Sequence, residues 1–479
     1  MPVRFDVRFL LLVVSLALLA PAVVVAQPAF ASFFTDKTMR VDYYHTGGGQ
    51  EIFALDQVVS DGPWPGSRTK LLDDTNLGPY FFEVIDRKTN QPIFSRGFAS
   101  MYGEWESTDE PKQGIHRSFH ETIRFPWPAG PVQVVVKKRD KLNAFREVWT
   151  TTIDPASRFV NAADQKPIGK VWTVFENGPA ATKVDLLVLG DGYSEAELPK
   201  FHADVKRLVD KLFATEPFRS RKSDFNVRAV DLPTAKSGVN RPRTADFRRT
   251  PIGVSYNIFD SERYALVEDN RSMRDIASAA PYDFLEVLIN EKQYGGGGIF
   301  NDHATAAVDT AFADYIFVHE FGHHFAGLGD EYYTSDVAYE TGVQDRPEPW
   351  EPNVTALKDP TALKWKDLVE AGTPLPTPWE KSTFEKKSLE TQARRRDLRA
   401  KNAPESEMNA LFTEERNWET PLLGRMPYSH KVGAFEGASY EATGLFRPEA
   451  DCIMFTRDDV GFCRVCQRAI SHIIDMYSK

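Results

Sequence analysis

The 479-residue sequence holds only three cysteines, and all of them come late: Cys452, Cys463 and Cys466. That excludes a small disulfide-built scaffold, in which bridges stand in for a hydrophobic core. Surplus positive charge is also missing. The net charge is -10, which leaves no electrostatic footprint for nucleic acid or an anionic membrane surface. Beyond the first residues, no run is apolar enough to span a bilayer. Phosphate loops are absent as well: Gly190-Asp191-Gly192 has neither the GxGxxG nor the GxxxxGKS/T spacing. What remains is ordinary globular composition, 42% hydrophobic and 26% charged, in a chain long enough for two or three domains.

The amino terminus reads as an export signal. Arg4 and Arg8 bracket Asp6, Phe9 to Ala20 is apolar, and Pro21 follows. Small-residue sites at Val24-Val25-Ala26 and Ala29-Phe30-Ala31 suit cleavage after Ala26 or Ala31. A signal peptide over residues 1–31 and a secreted or periplasmic location are expected, with no stable membrane insertion after cleavage. An uncleaved anchor is the alternative. Export permits a disulfide, with one of the three thiols left over. Three thiols cannot complete a four-cysteine zinc site and no histidine is well spaced, so a local disulfide staple is expected.

Residues 33–155 look all-β. Strand-like runs cover 39–45, 51–59, 80–85, 122–125, 132–138 and 145–153, and turn residues such as Asp61-Gly62-Pro63 and Pro128-Ala129-Gly130 separate them. This pattern predicts a β-sandwich-like amino-terminal domain. His116 and His120 lie in it without a third partner and are read as surface residues. Residues 156–170 read as a linker. An α/β domain is expected over 171–479, with buried strands at 184–189, 225–232 and 284–289. Ser194 to Glu197 spells a capping box, and Phe201, Val205, Leu208 and Leu212 form a helical stripe behind it. Residues 334–435 read as an insertion, proline-rich early and then strongly charged. Asn353-Val354-Thr355 within it is a glycosylation sequon, relevant only if the source glycosylates exported proteins.

The chemistry concentrates at His319-Glu320-Phe321-Gly322-His323. Two histidines four apart share one helical face and can reach one Zn²⁺ at roughly 2.0–2.1 Å. Glu320 then stands beside the metal as a general base, so these residues call for metal-activated water. Upstream, the apolar residues from Ala306 to Val318 predict one long buried helix, with Asp309 or Thr310 as N-cap. Gly327 and Gly329 supply its end. His324 is one position off the ligand face and is expected beside the site or on the surface.

Compared with the metzincin pattern H-E-x-x-H-x-x-G-x-x-H/D, Gly327 comes one residue late and Asp330 follows it by three. Asp330 is the expected third ligand and Glu331 the alternative. Asp451-Cys452-Ile453-Met454-Phe455 resembles a methionine turn, in which the Met454 thioether forms an apolar floor below the metal. Some metzincins place an oxyanion-holding tyrosine two residues after the turn methionine; Thr456 stands there in this sequence, so Tyr332 and Tyr333 are candidate donors by nearness alone. Gly295-Gly296-Gly297-Gly298-Ile299 is expected to border the cleft as an edge strand able to pair with an extended peptide. A flexible loop is the alternative reading.

Several segments together resemble the IgA-specific metalloendopeptidase family: MRVDYYHTG at 39–47, VDLLVLGDGYSEAE at 184–197, YGGGGIFN at 294–301, HEFGHHFAGLGDEYY at 319–333, GLFRPEADCIMF at 444–455 and FCRVC at 462–466. The resemblance implies a secreted, metzincin-like zinc endopeptidase acting on proteins or peptides, without implying immunoglobulin cleavage. The competing expectation is a secreted surface-ligand-binding protein with a purely structural zinc site. Structural zinc is closed by four protein ligands, whereas three are found here with a glutamate beside them.

Overall fold

The computed structural model describes residues 27–335 and 347–478. The export signal therefore falls almost wholly outside the described residues. After the short helix α1 (Phe30–Phe33), strands β1 (Phe34–Gly47), β2 (Ile52–Pro63), β3 (Tyr80–Asp86) and β4 (Pro92–Phe98) follow in turn. Helix α2 (Met101–Glu106) leads into β5 (Arg117–Pro128), β6 (Val132–Arg139), β7 (Phe145–Ile153) and the short β8 (Val160–Asn161). They form two four-stranded sheets, ordered β5-β1-β2-β8 and β4-β3-β6-β7. Alternate residues of both sheets, among them Met39, Val41, Phe82, Val84, Phe125 and Val134, close one shared core. Period-2 alternation produces that core. The segment read as a linker is partly structural: β8 pairs in parallel with β2.

The second domain is built on a six-stranded sheet. Strand β9 (Lys170–Phe175) precedes β10 (Val184–Asp191), and β11 (Phe225–Asp231) follows helix α3 (Leu198–Leu212). A short pair, β12 (Val254–Ser255) and β13 (Leu266–Val267), precedes helix α4 (Asn270–Ala277) and β14 (Phe284–Ile289). Then come β15 (Gly296–Ile299), β16 (His303–Ala307) and helix α5 (Ala313–Ala326). The sheet order is β15-β16-β14-β10-β11-β9, with the four inner strands parallel and both edge strands antiparallel. Every residue of β10 is buried, because helices cover both faces. Leu186 and Val188 face α3 and α5, while Leu187 and Leu189 face the layer holding Met273 and Ile276 of α4. The capping box forms as expected, with the Ser194 amide donating to Glu197 at 2.9 Å.

The expected long helix from Ala306 onwards is corrected. Ala306 and Ala307 belong to β16, and the helix starts at Ala313. Small alanines make β16 thin enough for α5 to lie across it. The insertion folds back on the main core through helices α6 (Lys381–Ala400) and α7 (Glu405–Gly424), and the hairpin of β17 (Phe435–Ala438) and β18 (Glu441–Arg447) follows it. Helix α8 (Arg464–Ser478) closes the fold. Asn353 of the sequon is fully buried and its amide is committed to Gly329 and Glu331, so it is no glycan acceptor in this fold.

The two domains are joined by buried charge. Arg40 of β1 binds Asp42 at 3.0 Å and Asp61 at 3.2 Å, and reaches across to Asp275 of α4 at 2.6 Å. Asp61 also holds Arg124, which donates to the Tyr282 carbonyl at 3.0 Å. His120, read as a surface residue, instead lies at this junction and meets Asn270 at 3.0 Å.

His45 gives the amino-terminal domain a pH signature. Its ring stacks between Phe53 and Tyr102, and its nitrogens meet Glu121 at 3.0 Å and Glu51 at 2.8 Å. Burial lowers its basicity, but the two carboxylates outweigh burial and its pKa is raised. A raised folded-state pKa means that the stabilisation is complete below the unfolded value near ~6.5 and is lost as pH rises through the folded one. Glu51 has the opposite sign. Burial works against its charge, yet His45 and Lys138 bring it down to about 2, so its contribution fades as pH falls towards that value. Thermal unfolding across pH should therefore show stability falling above neutrality, and His45→Gln should flatten that limb.

Candidate metal centre

Helix α5 carries the site because its neighbours are small on one side. A Cβ on Gly298 of β15 would run into the Glu320 carbonyl oxygen and come within 2.9 Å of the His323 Cβ. Glycine at that position lets helix and edge strand touch backbone to backbone. The helix ends at Gly327 in the left-handed conformation, φ 59°, as the glycine there predicts. The chain then doubles back and brings Asp330 under the two histidines.

Each imidazole is oriented by a backbone carbonyl. His319 Nδ1 donates to the Ile453 carbonyl at 2.9 Å, and His323 Nδ1 donates to the Leu328 carbonyl at 2.5 Å. A carbonyl can only accept, so the proton of the neutral ring sits on Nδ1 and the Nε2 lone pair is bare. The two Nε2 atoms lie 3.1 Å apart, and Asp330 Oδ1 lies 3.1 Å from each. Three electron-rich atoms in such a triangle repel one another unless a cation lies among them. Proton affinity registers the same field. Burial lowers the His323 pKa, but Asp330 and Glu320 outweigh it and push it up to about 9. Burial likewise opposes the Asp330 charge, yet His323 and His319 hold its carboxyl well below the usual range. Ligands about 2.0–2.1 Å from a tetrahedral ion stand roughly 3.3 Å apart, so the triangle fits a small divalent cation.

Glu320 joins the two histidines in one group whose ligand-type atoms all lie within 4.8 Å of one another. Met454 is fully buried beneath the helix, and its Sδ faces Gly322. Its carbonyl accepts the Glu331 amide at 2.8 Å, which ties the Asp330 loop to the turn at 451–455. Glu331, the alternative third ligand, points away from the imidazoles towards the cysteines. His324 is neither ligand nor surface. It is buried, links Leu285 of β14 to Ile299 of β15, and burial pulls it down to about 3.

The site opens on a cleft of about 430 Å³. Gly298, Tyr332 and Trp350 line it, and so do Ser100, Gly103 and Glu104 at α2 of the amino-terminal domain. A larger cavity, about 1040 Å³, opens elsewhere between the domains and includes none of the four site residues. Of the run Gly295 to Ile299, residues 296–299 form β15 as the outer strand of the sheet, and Gly295 precedes it. Part of its free edge is taken: Gly296 exchanges hydrogen bonds with Arg263 and Ala265. Tyr332 borders the cleft and accepts from Arg263 at 3.0 Å, whereas Tyr333 turns into the core against Phe384 and Phe455.

Sequence reasoning missed two site residues. The Tyr440 hydroxyl binds Asp330 Oδ2, and it arrives from the β17–β18 turn, 110 residues away in the chain. No local motif marks it. Glu286 of β14 lies buried behind Glu320 with both oxygens unpartnered, and burial, with the Glu320 charge, pushes its carboxyl far up. A lone acid inside Phe284-Leu285-Glu286-Val287-Leu288-Ile289 was a signal for it.

Two domains meeting at a cleft, with two helix histidines and a carboxylate converging on its floor, suit a metallopeptidase. The particular family follows from the family comparison. Residues 173–474 match the model described as IgA Peptidase M64, residues 29–150 match the Peptidase M64 N-terminus, and the chain belongs to this family. A search of curated proteins returned no match. The family acts on proteins or peptides, which suits a cleft rather than a closed cavity. Among the described residues no helix is long and apolar enough to cross a membrane.

Removing one imidazole should abolish the cation site. His323→Ala, purified as the full chain, should lose at least one equivalent of transition metal by elemental analysis. Metal content equal to wild type would remove His323 from the ligand set.

Proposed function

We propose that the protein is an exported zinc endopeptidase of metzincin-like architecture. The observation that carries this reading is the 3.1 Å triangle of His319 Nε2, His323 Nε2 and Asp330 Oδ1 on the floor of an open cleft. Three protein donors leave a fourth position for water and substrate, which is the pattern of catalytic and not structural zinc. A zinc ion held there supplies a Lewis acid for the scissile carbonyl and a water of lowered pKa.

The chain's own groups do the rest. The carbonyls of Ile453 and Leu328 fix the two rings, and Tyr440 restrains the free oxygen of Asp330. Glu320 accepts the proton of the attacking water and returns it to the leaving amine. The Tyr332 hydroxyl, supported by Arg263, donates to the oxyanion as charge develops. Substrate in extended form pairs with β15 at Gly298, two residues past the occupied position 296 and therefore facing the same edge. The 1–31 signal delivers the enzyme outside the cytoplasm. A binding protein with structural zinc is disfavoured by the three-donor set and its place in the cleft.

Cleavage of an unfolded protein such as casein should be abolished by chelator and restored by Zn²⁺. Glu320→Ala should keep its metal and lose about 10²–10⁴-fold or more in kcat/KM. Full activity in that variant would sink the assignment of Glu320. Tyr332→Phe should lower kcat by about 10²–10³ with KM little changed. An unchanged kcat would transfer the oxyanion role to another group.

A further inference from the structure

The three cysteines do not form the expected staple. All three are free and buried, and the Sγ atoms of Cys452 and Cys466 stand 4.0 Å apart. Tertiary structure adds a fourth group that the sequence keeps 121 residues from Cys452: Glu331, 0% exposed. One ligand atom from each of Glu331, Cys452, Cys463 and Cys466 lies within 4.8 Å of all the others. Glu331 Oε1 is 3.4 Å from Cys466 Sγ and 4.0 Å from Cys463 Sγ. Around a tetrahedral zinc, with Zn–S about 2.3 Å and Zn–O about 2.1 Å, neighbouring sulfurs stand roughly 3.8 Å apart and sulfur and oxygen roughly 3.6 Å. The Cys452–Cys466, Glu331–Cys466 and Glu331–Cys463 separations lie within about 0.4 Å of those spacings, and every remaining pair lies within 4.8 Å.

Backbone amides point at two of the sulfurs. The amides of Cys463 and Met454 donate to Cys452 Sγ at 3.2 and 3.5 Å, and the Cys466 amide donates to Cys463 Sγ at 3.4 Å. The fully buried Arg447 adds positive charge felt by both Glu331 and Cys452. Asn353 holds Glu331 Oε1 at 2.9 Å, while Glu331 Oε2 has no hydrogen-bond partner although no solvent reaches it. An unpartnered buried carboxylate oxygen is costly unless the group takes up a proton or a cation satisfies it.

We propose that Glu331, Cys452, Cys463 and Cys466 form a second metal site, structural and specific for a thiophilic divalent cation, best matched by Zn²⁺. Four protein ligands close it, in contrast to the three-donor catalytic site. Thiolates select zinc over the hard cations magnesium and calcium. Bound metal also accounts for three reduced thiols in an exported chain. The site ties the loop of Asp330 to the turn whose Ile453 carbonyl orients His319, through adjacent residues in each case. It thereby holds the catalytic ligands in register from outside the cleft.

The test uses the full chain, wild type and the His319→Ala/His323→Ala double variant. Elemental analysis should find two zinc ions per wild-type chain and one in the double variant. After exchange with Co²⁺, both proteins should show an intense thiolate-to-Co²⁺ charge-transfer band, which imidazole and carboxylate ligands do not give. Cys463→Ser/Cys466→Ser should lose the band, and Glu331→Gln, which preserves side-chain volume, should release the metal faster to a chelator. One metal in both proteins, with the thiolate band in each, would support this site and overturn the catalytic reading. An intact mass lighter by two hydrogens with a single titratable thiol, or Co²⁺ spectra without the thiolate band, would overturn the site.

Discussion

Two backbone carbonyls aim the paired imidazoles of this protein. The His319 ring is aimed by the Ile453 carbonyl, 134 residues later in the chain, and the His323 ring by the Leu328 carbonyl just past the helix. An imidazole on a helix rotates freely until its second nitrogen finds a partner. Once both Nδ1 protons are committed, both Nε2 lone pairs converge on one point. Helix geometry supplies the spacing, but the turn at 451–455 supplies the aim. The rest of the carboxy-terminal region can be understood as support for that turn: Met454 packs under Gly322, and the Glu331 amide closes on the Met454 carbonyl.

The amino-terminal domain takes part in the cleft. Ser100, the N-cap of α2, and Gly103 and Glu104 within it line the cleft, and the Arg40 network locks the domain to α4. Breaking such a network by removing one partner leaves buried charge uncompensated, at a cost of about 3–5 kcal/mol. Rigid attachment of this kind suits a wall that must hold its distance from the paired histidines. The insertion behaves similarly. Strongly charged as its helices are, Phe384, Met408 and Phe412 join the main core, and the hairpin that follows delivers Tyr440.

Much of the architecture was legible, and for a local reason. Strand alternation in residues 33–155 and the continuous apolar run at Val184 to Leu189 are short-range patterns that record which faces are buried. The error at Ala306 is equally instructive. A short apolar stretch rich in alanine fits a buried helix and a thin buried strand alike, and the neighbours in space decide between them.

The sequence by itself determined the pairing of His319 with His323 and the presence of Glu320 beside them, because a helix repeats within four residues and needs no distant partner. Tertiary structure alone decided how Asp330 and Glu331 divide. The first turns to the imidazoles and the second to Cys452, Cys463 and Cys466, since neighbouring side chains outside a helix leave the backbone in different directions. Tyr440, Glu286 and the carboxylate among the thiols belong to the same category. Each acts through a contact between segments far apart in the chain, and no periodicity within one segment encodes a contact of that kind.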